Sequence, residues 1–151
     1  EHASLVPPPL VDEIARLGAI VVTHPIFADE FAAKYRDEVP EEQRDWLYPM
    51  GAWRRAGVLV ALGSDAPIAS ADPLKNLSAA RRRGIDGAEA LDHHTRGGAY
   101  AAHDEGELGE IRLGGAADFV VLESDPTEAD PDPALIAIEA TVVAGEVAYE
   151  R

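Results

Sequence analysis

Two short apolar runs constrain the fold of this chain more than any other feature of its sequence. They span residues 19–23 and 58–62, and the threonine that ends the first run is their only polar residue. A strand that is apolar on both faces is typical of a parallel sheet covered by helices, whereas a strand at a surface alternates polar and apolar residues. His24-Pro25 ends the first run, because proline cannot donate a hydrogen bond to a sheet ladder.

Helical patterns precede and separate these two predicted strands. Leucine and isoleucine recur at helical spacing over residues 10–17, and aromatic residues repeat one turn apart over 27–35 and again over 46–53. Pro49 lies inside the last of these stretches and is expected to kink or break that helix. The order helix, strand, helices, strand predicts an α/β fold with parallel strands.

The character of the sequence changes near residue 106. Before this point, helices are predicted over about 76–83 and 87–103. The pair Gly97-Gly98 weakens the second helix, because glycine has a low helix propensity. The elements predicted beyond it are strands over 111–113 and 118–122 around Gly114-Gly115, an Asp/Pro-rich loop over 124–133 and a β-hairpin over 140–149. We therefore predict an α/β part over residues 1–106 and a small β part over residues 107–151.

Composition excludes several classes of partner. A net charge of −15 repels nucleic acid and anionic membranes, so we expect neither as a partner. No apolar run approaches the roughly 20 residues of a membrane span. The lack of cysteine excludes disulfides and thiolate metal sites and favours a cytoplasmic location. The chain starts at Glu1 without a signal-peptide pattern and without methionine, and we expect it to be part of a longer protein.

Asp65 is the first candidate for chemistry, because it follows the end of the second predicted strand. Functional groups of α/β proteins gather at the carboxyl ends of their strands. Gly63 permits the close approach of another group, and Pro67 turns the chain out of the sheet. A carboxylate at this place can bind a metal ion and take a proton from water. The alternative is a helix N-cap, a position that aspartate also favours.

Two of the five histidines are candidates for the same site. His24 follows the end of the first predicted strand and could contact a substrate there, or else it faces solvent or bonds to the backbone. His2 could bind a metal ion or simply be exposed. The other three, His93, His94 and His103, lie in a helical stretch without the i, i+4 spacing of a helical metal pair, which favours a role on the helix surface.

Other motifs do not support a competing chemistry. Ser64 is not part of a Gly-x-Ser-x-Gly nucleophile elbow. Neither Gly97-Gly98 nor Gly114-Gly115 joins a strand to a helix as a dinucleotide-binding loop does, so a nucleotide binder is excluded. The run Arg81-Arg82-Arg83 is expected to pair with acidic neighbours on a solvated helix face.

Taken together, the segments resemble the C-terminal half of the amidohydrolase superfamily, in the branch that includes N-substituted formamide deformylase. The resemblance covers nearly the whole chain. Its most specific parts, in this order and spacing, are the pattern that contains Asp65 and the last pattern, which begins at Leu108. The patterns that carry it are Glu1-His2-Ala3, residues 46–51, residues 62–67 with Asp72-Pro73, residues 95–101, and residues 108–122 with Leu108-Gly109 and Ala117-Asp118.

The resemblance implies the C-terminal part of a (β/α)8 barrel, strands six to eight, together with the C-terminal segment of a composite β-sandwich domain. By position, His2 resembles the histidine at the end of strand six, and residues 19–23 and 58–62 resemble strands seven and eight. Asp65 resembles the strand-eight aspartate that binds metal and acts as the general base. Residues 107–151 resemble the returning β-sandwich segment.

The activity implied is hydrolysis of a non-peptide C–N bond in a small molecule by metal-activated water, with one or two divalent ions, zinc being the expected metal. Asp65 would be the general base, and His2 would bind metal or steady the substrate carbonyl. In such enzymes strands one, four and five carry most of the metal ligands, and these strands lie outside this chain. His2 and Asp65 alone are too few for a catalytic zinc, which takes about three protein ligands, so we expect this fragment alone to be inactive.

A second hypothesis assigns no catalysis to the chain. A truncated barrel has strands without neighbours, and their unpaired edges favour assembly with another chain. Under this hypothesis the chain is a module that binds a partner. Under either hypothesis it could form a homo-oligomer or pair with the missing N-terminal part.

Overall fold

The structure is a computed structural model that describes residues 1–151. None of its helices combines the length and the apolar character that crossing a bilayer requires. The first elements are α1 (Pro8–Leu17), β1 (Val21–Thr23), α2 (Phe27–Glu30), α3 (Ala32–Glu38), α4 (Met50–Ala56), β2 (Val60–Leu62) and α5 (Pro73–Arg82). The later elements are α6 (Gly87–His94), α7 (Arg96–Ala102), β3 (Phe119–Leu122), β4 (Ile138–Val143) and β5 (Glu146–Glu150), and 3-10 turns occupy Glu41–Trp46 and Pro133–Leu135.

The predicted α/β fold is confirmed for the first part of the chain. Strands β1 and β2 are parallel neighbours, with Val21 opposite Val60 and Thr23 opposite Leu62. Both strands are largely buried, as the apolar runs predicted. Helix α1 ends at Gly18 in the left-handed conformation, which glycine adopts without steric penalty.

The hydrophobic core lies around this strand pair. Its largest members, Trp53 and Met50 of α4, have no exposed surface and pack with strand residues such as Val60. A second, smaller cluster forms around Phe27 and Tyr48, beside the loop that follows β1. Pro49 precedes α4 and the 3-10 turn ends at Trp46, so the predicted interruption of this stretch is confirmed.

The last part of the chain forms an antiparallel sheet in the order β3-β4-β5. The predicted hairpin is present, and its turn residues Ala144 and Gly145 both have positive φ, 51° and 80°. This combination matches the right-handed twist of the two strands that the turn joins. Every residue of β5 is exposed. The predicted division near residue 106 stays a prediction.

Two predictions about secondary structure were wrong in detail. Residues 111–113 form no strand, because no neighbouring strand offers them hydrogen bonds, and Ile111 and Leu113 are 85% and 102% exposed. The stretch 87–103 is two helices, and the break falls at Thr95 rather than at the glycine pair. The Thr95 hydroxyl donates to the Leu91 carbonyl, a local bond that competes with continuation of the helix.

Arg82 of the arginine run pairs with acidic neighbours, as predicted. Arg82 forms ion pairs with Asp29 and Asp132, and Arg81 donates to the backbone carbonyl of Glu128. The hydroxyl of Ser78 donates to Asp132 and lowers the pKa of that carboxyl. These contacts hold the loop that precedes β4 against α5.

Candidate functional site

Three parallel segments end at one edge of the small sheet. His2 forms a parallel bridge with Thr23, and Thr23 lies beside Leu62 in the strand pair. The Thr23 hydroxyl donates to the His2 carbonyl at 2.6 Å, and the Gly63 N–H donates to the Thr23 carbonyl at 3.0 Å. Side chains that follow these segments therefore meet at the carboxyl edge, where α/β proteins carry their functional groups.

His2 and Asp65 are in direct contact at this edge. The Nε2 atom of His2 lies 3.1 Å from Oδ2 of Asp65, although the two residues are 63 positions apart. Their side chains are 43% and 38% exposed, so the pair is accessible from solvent. Both residues have positive φ, 66° and 53°, a conformation that is uncommon outside glycine and often found at functional sites.

Asp65 does not cap a helix. The N-cap of α5 is Asp72, whose Oδ1 accepts a hydrogen bond from the Leu74 N–H at 2.9 Å. The structure thus removes the alternative role that the sequence left open for Asp65. Ser64, next to it, accepts a bond from the Ala66 N–H at 3.3 Å and shapes the loop.

His24 lies beside the His2–Asp65 pair and is nearly inaccessible, with 3% of its side chain exposed. Its Nε2 atom lies 2.8 Å from Oε1 of Glu1, and its ring centroid lies 4.8 Å from that of His2. Its Nδ1 atom is buried without a hydrogen-bond partner. The ring fits because Gly63 has no side chain, since a Cβ there would lie 2.9 Å from Cε1 of His24.

Aromatic side chains form the wall behind the two imidazoles. The Phe27 ring centroid lies 5.8 Å from both His2 and His24, and Tyr48 packs edge-on against Phe27 at 6.4 Å. Tyr48 is fully buried and its hydroxyl bonds to that of Tyr35 at 2.8 Å. Burial, with this hydrogen bond, raises the pKa of Tyr48 far above its usual range, so its hydroxyl stays protonated.

Asn76 connects the loops that follow β1 and β2. It lies on α5 with no exposed surface. Its Nδ2 donates to the Gly63 carbonyl at 2.8 Å, and its Oδ1 accepts from the Ile26 N–H at 3.2 Å. Because both amide atoms are used, this side chain sets the spacing between the loop carrying His24 and the loop carrying Asp65.

Replacing Asn76 with alanine is expected to lower the free energy of unfolding by about 1–3 kcal/mol for each of the two backbone groups left unpaired. The higher helix propensity of alanine offsets a few tenths of this. The measurement is urea unfolding of the parent chain and of the Asn76→Ala variant. The matched control is Lys75→Ala at the exposed neighbouring position of α5, where a change within about 0.5 kcal/mol is expected. Equal effects of the two variants would show that Asn76 does not brace the loops.

The structure does not bring the other three histidines to this cluster. His93 lies 3.5 Å from Glu89 on the same helix, and His103 ends α7 in the left-handed conformation. His94 is half-buried, and its partial removal from water lowers its pKa. It lines a cavity of about 680 Å³ that lies between α6, α7, residues 108–111 and β3, with Phe119 in its wall.

Sequence reasoning did not identify Glu1 or Asn76 as members of the site. Glu1 has no distinguishing pattern apart from its place beside His2. Asn76 carried a signal, because it is the only asparagine of the chain and lies between Leu74 and Leu77 in a helix that begins at Asp72-Pro73. A side-chain amide on a buried helix face needs hydrogen-bond partners, so such a residue is a candidate for a bracing role.

The fold and the site define an α/β protein that presents imidazole and carboxylate groups at the carboxyl ends of parallel strands. Comparisons with known proteins identify the family of the chain. The sequence model of the amidohydrolase family matches residues 1–149. YtcJ of Bacillus subtilis (strain 168), which carries an amidohydrolase name, is 30% identical over 99% of this chain and 31% of its own length.

Two further relatives agree with this match. The N-substituted formamide deformylase of Arthrobacter pascens is 30% identical over 100% of this chain and 30% of its own length. The crystal structure of an uncharacterized metal-dependent hydrolase from Pyrococcus furiosus has a TM-score of 0.74 and 27% identity, over 84% of this chain and 28% of that one.

The chain belongs to the amidohydrolase family, and the resemblance seen in its sequence is confirmed. It spans about 30% of the length of the curated relatives that it matches.

Proposed function

We propose that this chain is the C-terminal part of a metal-dependent hydrolase that cleaves a non-peptide C–N bond in a small molecule. The observation that carries the proposal is the contact between His2 and Asp65 at the carboxyl edge of parallel strands. Membership of the amidohydrolase family supports a hydrolase. No observation favours a non-catalytic assembly module over this activity.

In this proposal the strands form part of a (β/α)8 barrel. The segment at His2 corresponds to strand six, β1 to strand seven and β2 to strand eight. The parallel pairing of these three segments in this order supports the assignment. Residues 107–151 correspond to the returning segment of a composite β-sandwich domain, which is consistent with their antiparallel strands.

The donor atoms fit a divalent metal ion. Imidazole nitrogen and carboxylate oxygen are the usual ligands of catalytic zinc, and His2 and Asp65 offer one of each within 3.1 Å. One or two ions are proposed, with zinc as the expected metal. The Pyrococcus furiosus relative is named as metal-dependent, which supports the same requirement here.

The roles of the residues follow from their positions. A bound divalent ion supplies Lewis acidity, which polarises a carbonyl and lowers the pKa of water towards about 7. The Asp65 carboxylate is accessible and takes a proton from the attacking water, then returns it to the leaving nitrogen. His2 holds its ring against Asp65 and binds metal or steadies the carbonyl oxygen. His24, whose ring centroid lies 4.8 Å from that of His2, is proposed to contact the substrate.

The proposed partner is a small-molecule substrate, and the net charge of −15 argues against nucleic acid or a membrane. The length of the relatives supports a longer protein whose other strands complete the metal site. The chain alone is proposed to be inactive as a hydrolase. Pairing with that other part, or with a second copy, is part of the proposal.

The test uses the intact protein with N-substituted formamides, chosen because one relative is named for them. Water adds to the formyl carbon and the C–N bond breaks, so each turnover yields one amine and one formate. We expect no formate release after chelation and recovery on addition of Zn²⁺. Turnover that survives chelation would contradict the proposal, and so would cleavage of dipeptides in preference to every formamide and other amide tested.

A further inference from the structure

We propose that Asn76 is a positioning residue of the proposed reaction, because it holds the loop with Asp65 and the loop with His24 in the relative position that turnover requires. The inference rests on the proposed function for the reaction that is affected. It makes the reaction rate depend on a side chain that has no exposed surface and therefore contacts no substrate. A residue that only stabilises the fold has no such effect on the rate of the folded molecules.

Gly63 is the residue through which Asn76 acts on both loops. Its carbonyl accepts the bond from Nδ2 of Asn76 at 2.8 Å, and its N–H donates to the Thr23 carbonyl at 3.0 Å. The His24 ring packs on the face of Gly63 where a Cβ would stand, 2.9 Å from Cε1 of that ring. A shift of the Gly63 backbone therefore breaks a hydrogen bond or displaces His24.

Asp65 depends on this anchor because its backbone is strained. It lies two residues after Gly63 with a φ of 53°, a left-handed conformation that persists only where the surroundings hold it. Its carbonyl accepts from the Ile68 N–H at 2.9 Å, which closes the turn but does not fix where the turn leaves β2. Without the bond from Asn76 the turn can relax, and the carboxylate then moves away from Nε2 of His2.

The other bond of Asn76 holds the loop that follows β1. Its Oδ1 accepts from the N–H of Ile26, which lies two residues after His24 and is 2% exposed, so water cannot replace the lost partner. Both bonds belong to one planar amide, whose rigid geometry sets the distance between the Gly63 carbonyl and the Ile26 N–H. A displacement of about 1 Å between groups that act together can lower a rate by about a hundredfold.

The first test compares turnover of Asn76→Ala and Val11→Ala in the intact protein at saturating substrate, under conditions where unfolding curves show both variants folded. Val11 is buried in the core on α1, so its truncation also destabilises the protein, but it lies outside the loops of the site. We expect kcat to fall by at least about tenfold in Asn76→Ala and to stay close to the parental value in Val11→Ala. Parental kcat in both variants would overturn the inference.

Asn76→Asp provides a rescue of the same shape. When ionised, the new carboxylate keeps an acceptor for Ile26 but sets a negative charge against the Gly63 carbonyl oxygen. When protonated, its O–H can donate to that carbonyl as Nδ2 of asparagine does. Burial favours the protonated form, so the ratio of variant to parental kcat should rise at least about tenfold from about pH 8 to about pH 5.5. The ratio for Asn76→Ala should stay constant, and a constant ratio for Asn76→Asp would contradict the inference.

Hydrogen exchange in the 151-residue chain tests the same point without turnover. The Ile68 N–H bonds to the Asp65 carbonyl and does not contact Asn76. We expect its exchange to be at least about tenfold faster in Asn76→Ala than in Val11→Ala, because the turn has lost its anchor. Equal exchange would overturn the inference and leave the proposed function intact. Conversely, a parent protein without metal-dependent amide hydrolysis would remove the proposed function, and faster exchange in Asn76→Ala would still show that Asn76 positions Asp65.

Discussion

Replacing Asp65 with asparagine in the intact protein is expected to lower kcat by about 10²–10⁴-fold, because the general base is lost. The asparagine side chain has nearly the same shape and keeps an oxygen that can face Nε2 of His2. It cannot accept a proton at neutral pH, and it is a poorer metal ligand than a carboxylate. The measurement is steady-state turnover, with thermal unfolding of the same variant to show that the fold is retained.

The matched control for this prediction is Asp72→Asn, seven positions along the same connection between β2 and α5. Asp72 caps α5, and asparagine is about as good an N-cap as aspartate. Turnover and stability of Asp72→Asn should therefore stay close to those of the parent. If Asp65→Asn retained the parental kcat, Asp65 would not be the base and the proposed mechanism would need another proton acceptor.

Replacing Gly97 with alanine is expected to destabilise the fold by about 3 kcal/mol or more, the upper range of overpacking effects. Gly97 brings α7 against β2 so closely that a Cβ would lie 2.3 Å from the Val60 carbonyl oxygen. Backbone cannot yield as a flexible side chain does, so helix and strand must separate. Because β2 leads directly to the loop with Asp65, the same shift should disturb the site. Urea unfolding of the 151-residue chain gives the free energy.

Gly98→Ala is the matched control for this effect. Gly98 is the next residue of α7, and nothing lies within 4 Å of the position its Cβ would take. Alanine in an open helix position is expected to stabilise by about 0.5–1 kcal/mol. The two substitutions are chemically identical and should change stability in opposite directions. Destabilisation of similar size in both would mean that helix packing on β2 is not the cause.

Much of the site could be predicted because its main residues follow strand ends. The apolar runs predicted β1 and β2, and parallel strands bring their carboxyl ends to one edge. His24 and Asp65 were therefore expected to lie close together from their positions alone. The functional roles of His2, His24 and Asp65 stay proposals, and Asp65→Asn tests that of Asp65.

Two secondary-structure features were not predicted correctly from the sequence pattern. Residues 111–113 contain apolar side chains, as β3 does, yet only β3 has a partner strand. The helical stretch 87–103 divides at Thr95, where a side-chain bond to the Leu91 carbonyl competes with the helix. A neighbouring strand that supplies or withholds hydrogen bonds decides the first case, and local propensity does not include this neighbour.

The sequence by itself determined the α/β class, the family and the residues that end the two buried strands, because these depend on the order of apolar and polar residues along the chain. Only the tertiary structure decided that Asp65 faces His2 instead of capping α5, that Glu1 pairs with a buried His24, and that Asn76 braces both loops. These are contacts between residues far apart in sequence. Their partners are selected by the packing of helices on a sheet, which no local pattern records.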